Sequence, residues 1–246
     1  MWLFFGLLLA VLLTSILSGV LGMGGGMILI GVFAMLLPVP AAMVLHGVTQ
    51  TGANGTRTWL FRQHIYRPTL APFFAGMAIS AATVIASGLV LDKSTLFLVL
   101  GAIPFLNLLP KMPQLDFTRP GHAFLCGLCV TFAQMTAGVS GPLLDVFFLD
   151  TKLDRFQVIG TKSFTQMLGH LLKIGYFGAV MWRAGSEAEL PIWIFPGVVL
   201  VGMTGTIIGR KLLEFLNEAR FRQACSWTVL TIGGVYLARG IGPLLG

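Results

Sequence analysis

Two hydrophobic segments of this chain are each broken by a cluster of glycines. The first cluster, at 18–26, is followed by a short apolar run at 27–37, and the second, at 135–142, by a short run at 143–149. A break in a membrane helix leaves backbone N–H groups unpaired, so it is tolerated only where it faces protein or a water-filled cavity. Two breaks at corresponding positions of two halves indicate the binding site of a membrane carrier.

The composition is that of a membrane protein and not of a soluble domain. Hydrophobic residues make up 56% of the 246 residues and charged residues only 10%, and the mean hydropathy is +0.87. The N-terminal stretch has no basic region and no clear cleavage site, so we interpret it as a retained span rather than a signal peptide. Three cysteines in apolar segments favour packing over metal binding. We expect neither a metal nor a cofactor.

Apolar stretches divide the chain into two halves with the same order of features. They cover 2–21, 27–37, 41–61, 69–91 and 94–110 in the first half, and 120–138, 142–149, 156–182, 190–208 and 224–241 in the second. A shift of 115 residues places Gly26 on Gly141 and the segment at His46 on the segment at Thr161. We therefore predict two domains, a first transmembrane repeat at 1–112 and a second at 119–246.

The distribution of basic residues predicts the orientation of the halves. Four loops, at 62–67, 110–119, 150–155 and 209–222, hold ten of the sixteen lysines and arginines. Such an excess is typical of cytoplasmic loops and explains the net charge of +7 without nucleic acid as a partner. All four loops lie on one side of the membrane only if each glycine-broken segment enters the membrane and returns to the face from which it entered. The predicted fold is an all-α polytopic membrane protein with two inverted repeats, each a glycine-broken re-entrant helix hairpin plus three transmembrane helices.

The short helices after the glycine clusters are expected to begin near the middle of the membrane. A helix N-terminus presents free N–H groups and a partial positive charge, which favours an anion. Pro142 suits the first turn of such a helix. Close helix packing is the alternative use of glycine in membranes. We predict substrate binding at Gly24, Gly25, Gly26, Ser140 and Gly141.

Polar residues inside the predicted spans are costly and are therefore candidates for function. Gln50 and Asn54 lie four residues apart on one helical face, and Gln166 and His170 repeat this spacing in the second half. These side chains can bind substrate oxygens or join neighbouring helices. His46 can respond to pH, with a packing role as the alternative.

Several residues with ionisable side chains lie within or at the ends of the predicted spans. Lys162 can supply a positive charge to an anion or form an ion pair with Asp145. Because Asp145 repels an anion, its predicted role is proton coupling or the holding of Lys162. Snorkelling towards the membrane surface explains Arg57 and His64, and it explains Lys173 if the helix is tilted or kinked.

An enzymatic function is not expected. The chain contains no nucleophile elbow, no zinc-protease motif and no phosphate-binding loop. Ser163 and His170 are seven residues apart, which is two helical turns and too far for a nucleophile–base contact. An anion channel is the stronger alternative, although opposed half-helices around one central site favour a carrier with alternating access.

Several of these motifs resemble the TauE/SafE sulfite exporter family. The motifs are 17–19 and 24–26, the glycine turn that ends at Pro142, and Gly160-Thr161-Lys162, and the resemblance spans essentially the whole chain. It implies a multi-pass secondary transporter in the bacterial inner membrane for sulfite, sulfoacetate or related organosulfonates, with Thr161 beside Lys162 at the substrate. The expected partners are this anion, the lipid bilayer, protons or sodium as a coupling ion, and a second copy of the chain in a homodimer.

Overall fold

The structure, a computed structural model, describes residues 2–21, 24–106, 115–185, 190–213 and 218–245. These residues form ten α-helices and one short 3-10 turn, Arg62–His64, and contain no strand. The first-half helices are α1 (Trp2–Leu21), α2 (Gly25–Leu36), α3 (Val39–Leu60), α4 (Leu70–Ser87) and α5 (Lys93–Leu106). The second-half helices are α6 (Pro120–Thr136), α7 (Gly141–Val146), α8 (Arg155–Arg183), α9 (Ile194–Leu213) and α10 (Glu218–Leu245). The all-α prediction is confirmed for the described residues.

Both glycine clusters lie where one helix ends and the next begins. Gly24 has a φ of 82°, and its carbonyl accepts a hydrogen bond from the N–H of Ile28, so α2 begins directly after it. Gly138 has a φ of 81° in the turn between α6 and α7. Glycine adopts a positive φ readily, whereas other residues do so at a cost. The two breaks predicted from the sequence are confirmed.

Some predicted boundaries differ from the observed ones. α7 ends at Val146, and turns follow it up to residue 150, so this half-helix is shorter than the apolar run. The segment 209–222 is not a loop throughout, because α9 and α10 both extend into it. Lys111 and the predicted repeat boundary at residue 112 lie outside the described residues.

Helices of the first half pack mainly on helices of the second half. α1 packs on α9, α4 on α6, α3 on α8 and α5 on α10. Glycines bring some of these backbones close together. A Cβ atom at Gly76 of α4 would meet the backbone of Phe124, and one at Gly127 of α6 would meet the backbone of Phe73. Close contacts through small residues are typical of helix pairs in membranes.

The outside of the molecule carries large apolar side chains. On α1, Phe5, Leu9 and Leu13 recur every four residues, and each is more than half exposed. Trp59 and Trp182 are exposed in the last turns of α3 and α8. Apolar side chains on the surface and tryptophans near helix ends are typical of a protein that faces lipid.

By length and hydropathy together, one described helix is long and apolar enough to cross a membrane, namely Leu70–Ser87, with a mean hydropathy of 1.7. Shorter apolar helices are Trp2–Ser18, Gly25–Leu36, Lys93–Ile103 and Ile194–Gly209. α3 and α8 contain 22 and 29 residues, and both carry several polar side chains. These two helices carry the polar residues of the candidate site that is described next.

Candidate functional site

α3 and α8 pack against each other and run antiparallel. Gly47 of α3 lies against Ile174 of α8, and Gly55, further along α3, lies against the earlier residue Met167. A side chain at Gly47 would collide with Ile174, so glycine permits the close approach. This arrangement brings together polar residues that are more than 100 residues apart in the chain.

Both helices carry polar residues at the same spacing of four, four and three residues. On α3 these are His46, Gln50, Asn54 and Arg57, and on α8 they are Lys162, Gln166, His170 and Lys173. Residues three or four apart share one face of a helix. We call these eight residues the polar crossing. Six of them are predicted site residues; Arg57 and Lys173 were interpreted as snorkelling side chains.

Lys173 is fully buried, so the snorkelling interpretation is wrong for this residue. Its Nζ lies 2.7 Å from His46 Nδ1 and 3.0 Å from the Gly138 carbonyl oxygen. His46 Nε2 lies 2.9 Å from the Gly26 carbonyl oxygen. Because a carbonyl only accepts, His46 Nε2 carries the hydrogen and Nδ1 accepts from Lys173. One chain of hydrogen bonds therefore joins Gly26, directly after the first break, to Gly138 in the second.

His170 lies beside this chain of hydrogen bonds. Its ring centroid is 5.5 Å from that of His46, and the rings meet edge to face. His170 is buried, and its Nδ1 has no hydrogen-bond partner. A buried ring nitrogen without a partner is costly, so His170 Nδ1 can take up a hydrogen bond to water or to a ligand.

The predicted glycines differ in what they face. A Cβ atom at Gly26 would lie 3.0 Å from Gln50 Nε2 and 3.6 Å from His46 Nε2, and one at Gly141 would lie 3.6 Å from Gln166 Nε2. Both positions therefore border the polar crossing. A Cβ atom at Gly25, by contrast, would collide with α1, so Gly25 has the packing role that we kept as the alternative.

Ser140 is held within the fold by Gln134, a residue that the sequence analysis did not consider. The Ser140 hydroxyl donates to Gln134 Oε1 over 2.6 Å, and Gln134 Nε2 donates to the Gln166 carbonyl over 3.0 Å. All three positions flank the start of α7. Gln134 therefore fixes the second glycine turn to α8.

Lys162 and Asp145 form an ion pair between α8 and α7. Both side chains are partly exposed, at 24% and 17%. The pair is one of the two interpretations given above for Lys162. Because neither side chain is fully buried, the pair is expected to be weaker than a fully buried ion pair.

Arg57 lines a small polar cavity between α1, α3 and α9. The residues around this cavity are Thr14, Ser15, Ser18, Thr49, Gln50, Ala53, Arg57 and Thr206. Among the described residues, no carboxylate lies within ion-pair distance of Arg57. The cavity has room for about one water molecule, so it must widen to admit an anion, for which an arginine without a carboxylate partner is a suitable ligand.

Two further predicted residues lie in different surroundings. Thr161 is fully buried, and its hydroxyl accepts a hydrogen bond of 2.8 Å from the N–H of Tyr66, between α3 and α4. The structure therefore does not bring Thr161 into the polar crossing. Asn54 is buried on the polar face of α3.

The spacing of polar residues along the sequence is sufficient to identify Arg57 and Lys173 as members of the polar crossing. Each is the fourth member of a four, four, three pattern, and the two patterns are 116 residues apart. Two pairs of helix starts are also 116 residues apart: Gly25 with Gly141, and Val39 with Arg155. The predicted shift of 115 is thus one residue short at these helices.

The glycine contacts predict effects of different size on stability for the same substitution at two corresponding positions. Gly25→Ala should destabilise the protein by about 1–3 kcal/mol, because overpacked contacts cost this much and its Cβ would collide with the Thr14 carbonyl and Ser18. Gly141→Ala should change stability by less than about 0.5 kcal/mol, because its Cβ makes only an ordinary contact. Thermal unfolding in detergent measures both. Equal melting temperatures for the two variants would contradict the packing role of Gly25.

Comparison with known proteins identifies the family. The family model of the sulfite exporter TauE/SafE matches residues 7–237, which is nearly the whole chain. No curated protein and no solved structure matches the chain.

Proposed function

The chain belongs to the TauE/SafE sulfite exporter family, a family of membrane transporters for sulfite and related anions. We propose that it is a secondary transporter that moves sulfite or a small organosulfonate across the bacterial inner membrane by alternating access. The observation that carries this proposal is the charge of the polar crossing. Arg57, Lys162 and Lys173 are basic, and Asp145 is the one carboxylate paired with them among the described residues. An excess of basic over acidic groups around an interior site favours an anionic ligand.

The geometry supports an anion site in the part of the polar crossing between its two basic ends. His46 and Lys173 lie at one end, and Arg57 and Lys162 at the other. Gln50 lies between them on α3 and also lines the cavity of Arg57. Gln166 is its equivalent on α8. Amide N–H groups of glutamine can donate to the oxygens of a sulfonate, while the basic residues balance its charge.

The helix contacts support two repeats of inverted orientation. Suppose that α1 to α5 correspond, in order, to α6 to α10. The contact of α1 with α9 then has the contact of α6 with α4 as its counterpart. The contacts α3–α8 and α5–α10 each join a helix to its own equivalent. A two-fold axis in the membrane plane relates elements in this way in many carriers. On this proposal the repeats at 1–112 and 119–246 each contribute one glycine break and one polar helix.

The predicted substrate positions take different roles in this proposal. Gly26 and Gly141 leave space beside Gln50 and Gln166, and Lys162 becomes available to the anion when Asp145 releases it. The break at Gly24 contributes through the positive φ that starts α2.

Transport by purified protein in liposomes tests the proposal. We expect saturable uptake of sulfur-labelled sulfite or ethanesulfonate without ATP. We also expect unlabelled anion inside the vesicles to accelerate uptake of labelled anion, because a carrier returns faster when loaded. Vesicles without protein are the control. Non-saturating flux without this acceleration would indicate the anion channel instead, and the absence of any flux of either anion would contradict both functions.

A further inference from the structure

Lys173 is a lysine sealed inside the protein at the junction of the two glycine breaks. We propose that its amine is the site at which a proton binds, and that this proton is transported together with the anion. The inference rests on the proposed transport function and deepens it, because it identifies the coupling ion and the residue that carries it. Asp145 had been the candidate for this role.

The two acceptors around Lys173 match a neutral amine. A neutral amine has two N–H groups, and the structure provides two acceptors, His46 Nδ1 at 2.7 Å and the Gly138 carbonyl oxygen at 3.0 Å. An ammonium ion has a third N–H group and a full charge. No carboxylate lies within ion-pair distance of Lys173 among the described residues. A charged Lys173 therefore lacks a counter-ion unless an anion is bound.

Proton binding and anion binding consequently support each other. When a proton from water forms a third N–H bond at Nζ, the site gains one positive charge, and the buried charge favours entry of one anion. When the anion leaves, the same proton is released to water and the amine returns to its two hydrogen bonds. By linkage, the anion promotes protonation as strongly as the proton promotes anion binding.

His46 and His170 have positioning roles in this site. His46 uses its Nε2 hydrogen on Gly26, which keeps Nδ1 free to accept from Lys173. His170 Nδ1 is a buried ring nitrogen without a hydrogen-bond partner beside this pair. It provides a place for a proton on its way to or from Nζ.

Among the described residues, no acidic side chain is placed to act as a counter-ion to a protonated Lys173, and Asp145 is paired with Lys162. The side chains nearest to Lys173 are His46 and His170, and neither is an acid. Arg57 and Lys162 each lie eleven residues along their helix from the pair, about 16 Å. α2, α4 and the turn at 137–140 contain no titratable side chain. The remaining titratable residues on α8, and on the helices and the 3-10 turn that pack against α3 and α8, are Arg62, His64, His122, Cys126, Cys129, Arg155, Tyr176, Arg183, Arg210 and Lys211.

Two transport modes separate proton coupling from anion binding. Exchange of labelled for unlabelled anion at equal pH requires no net proton movement. Accumulation driven by a pH difference does require it, and one proton per anion gives about tenfold accumulation on the alkaline side for each pH unit. The probe is whichever of ethanesulfonate and sulfite the unaltered protein exchanges. Ethanesulfonate remains an anion near neutral pH. For sulfite, the uptake by vesicles without protein is subtracted from the uptake by vesicles with protein.

The critical variant is Lys173→Gln, with Lys152→Gln as the matched control at an exposed lysine. Lys173→Gln retains N–H donors but cannot take up a proton. We expect it to lose accumulation, from about tenfold per pH unit to none, and to exchange the anion more weakly because its site no longer gains a positive charge, whereas Lys152→Gln keeps both accumulation and exchange. Lys173→Arg, which holds its charge permanently, should also lose accumulation, and it serves if the glutamine variant does not fold.

The outcomes distinguish the coupling site from the function. If the unaltered protein exchanges anion but does not respond to a pH difference, or if both Lys173 variants still accumulate it, the coupling role of Lys173 is overturned and transport stands. If the unaltered protein exchanges neither anion, the proposed function itself fails. The vesicle interior should also become more acidic during anion uptake by the unaltered protein and not by Lys173→Gln, which a pH-sensitive dye measures.

Discussion

Arg57→Gln is expected to weaken anion binding by about 30-fold or more without destabilising the protein. Loss of one partner in a desolvated, hydrogen-bonded charge pair costs about 2–5 kcal/mol, and each 1.4 kcal/mol is a factor of ten in affinity. Arg57 has no carboxylate partner among the described residues. Its removal therefore leaves no buried acid unpaired, and stability in the absence of anion should be unchanged or higher.

Thermal unfolding with and without sulfite or ethanesulfonate measures both quantities, because an anion that binds the folded state raises its melting temperature. The matched control is Arg62→Gln, which removes an exposed guanidinium that lies over Trp59 and bonds to its carbonyl. The control should keep the anion-dependent shift. A large loss of stability in Arg57→Gln without anion would show that Arg57 is structural, and an unchanged anion-dependent shift would remove Arg57 from the site.

The second large effect concerns Lys162 and Asp145. Removal of one partner of a fully buried ion pair costs about 3–5 kcal/mol, and partial exposure of this pair should reduce the cost to about 1–3 kcal/mol. Lys162→Met leaves Asp145 as an unpaired negative charge near the anion, so affinity and transport should both fall. Asp145→Asn leaves Lys162 without its counter-ion, so anion affinity should rise.

The double variant Lys162→Met/Asp145→Asn separates the two interpretations of Lys162. Its stability should recover, because neither charge is left unpaired, and the double-mutant cycle should give a coupling energy of at least about 1 kcal/mol. If Lys162 also binds the anion, transport stays low in the double variant. Recovery of transport together with stability would show that Lys162 serves only to hold Asp145.

Local patterns in the sequence were sufficient for the helices and the two breaks. The glycine clusters, the apolar runs and the family motifs are contiguous in the chain, and helical periodicity places Gln50 with Asn54 and Gln166 with His170 on common faces. These features depend on interactions within one or two helical turns. They are therefore visible without any knowledge of how the helices pack.

The tertiary structure decided which polar residues meet. His46 and Lys173 are 127 residues apart in the chain, and their contact depends on the antiparallel packing of α3 on α8. The same packing seals Lys173 from solvent, although the sequence alone is compatible with a lysine that reaches the membrane surface. Ser140 and Thr161 have polar partners, Gln134 and Tyr66, that no local pattern connects to them.

The glycines illustrate the same division. From the sequence, Gly25 and Gly141 both lie close to the start of a short helix. In the structure, Gly25 lies against α1, whereas Gly141 has an ordinary amount of space beside Gln166. Sequence by itself determined that the backbone breaks at these points, because helix formation is governed by neighbouring residues. Only the packing of helices from both halves decided which glycine allows a close helix contact and which borders the polar crossing.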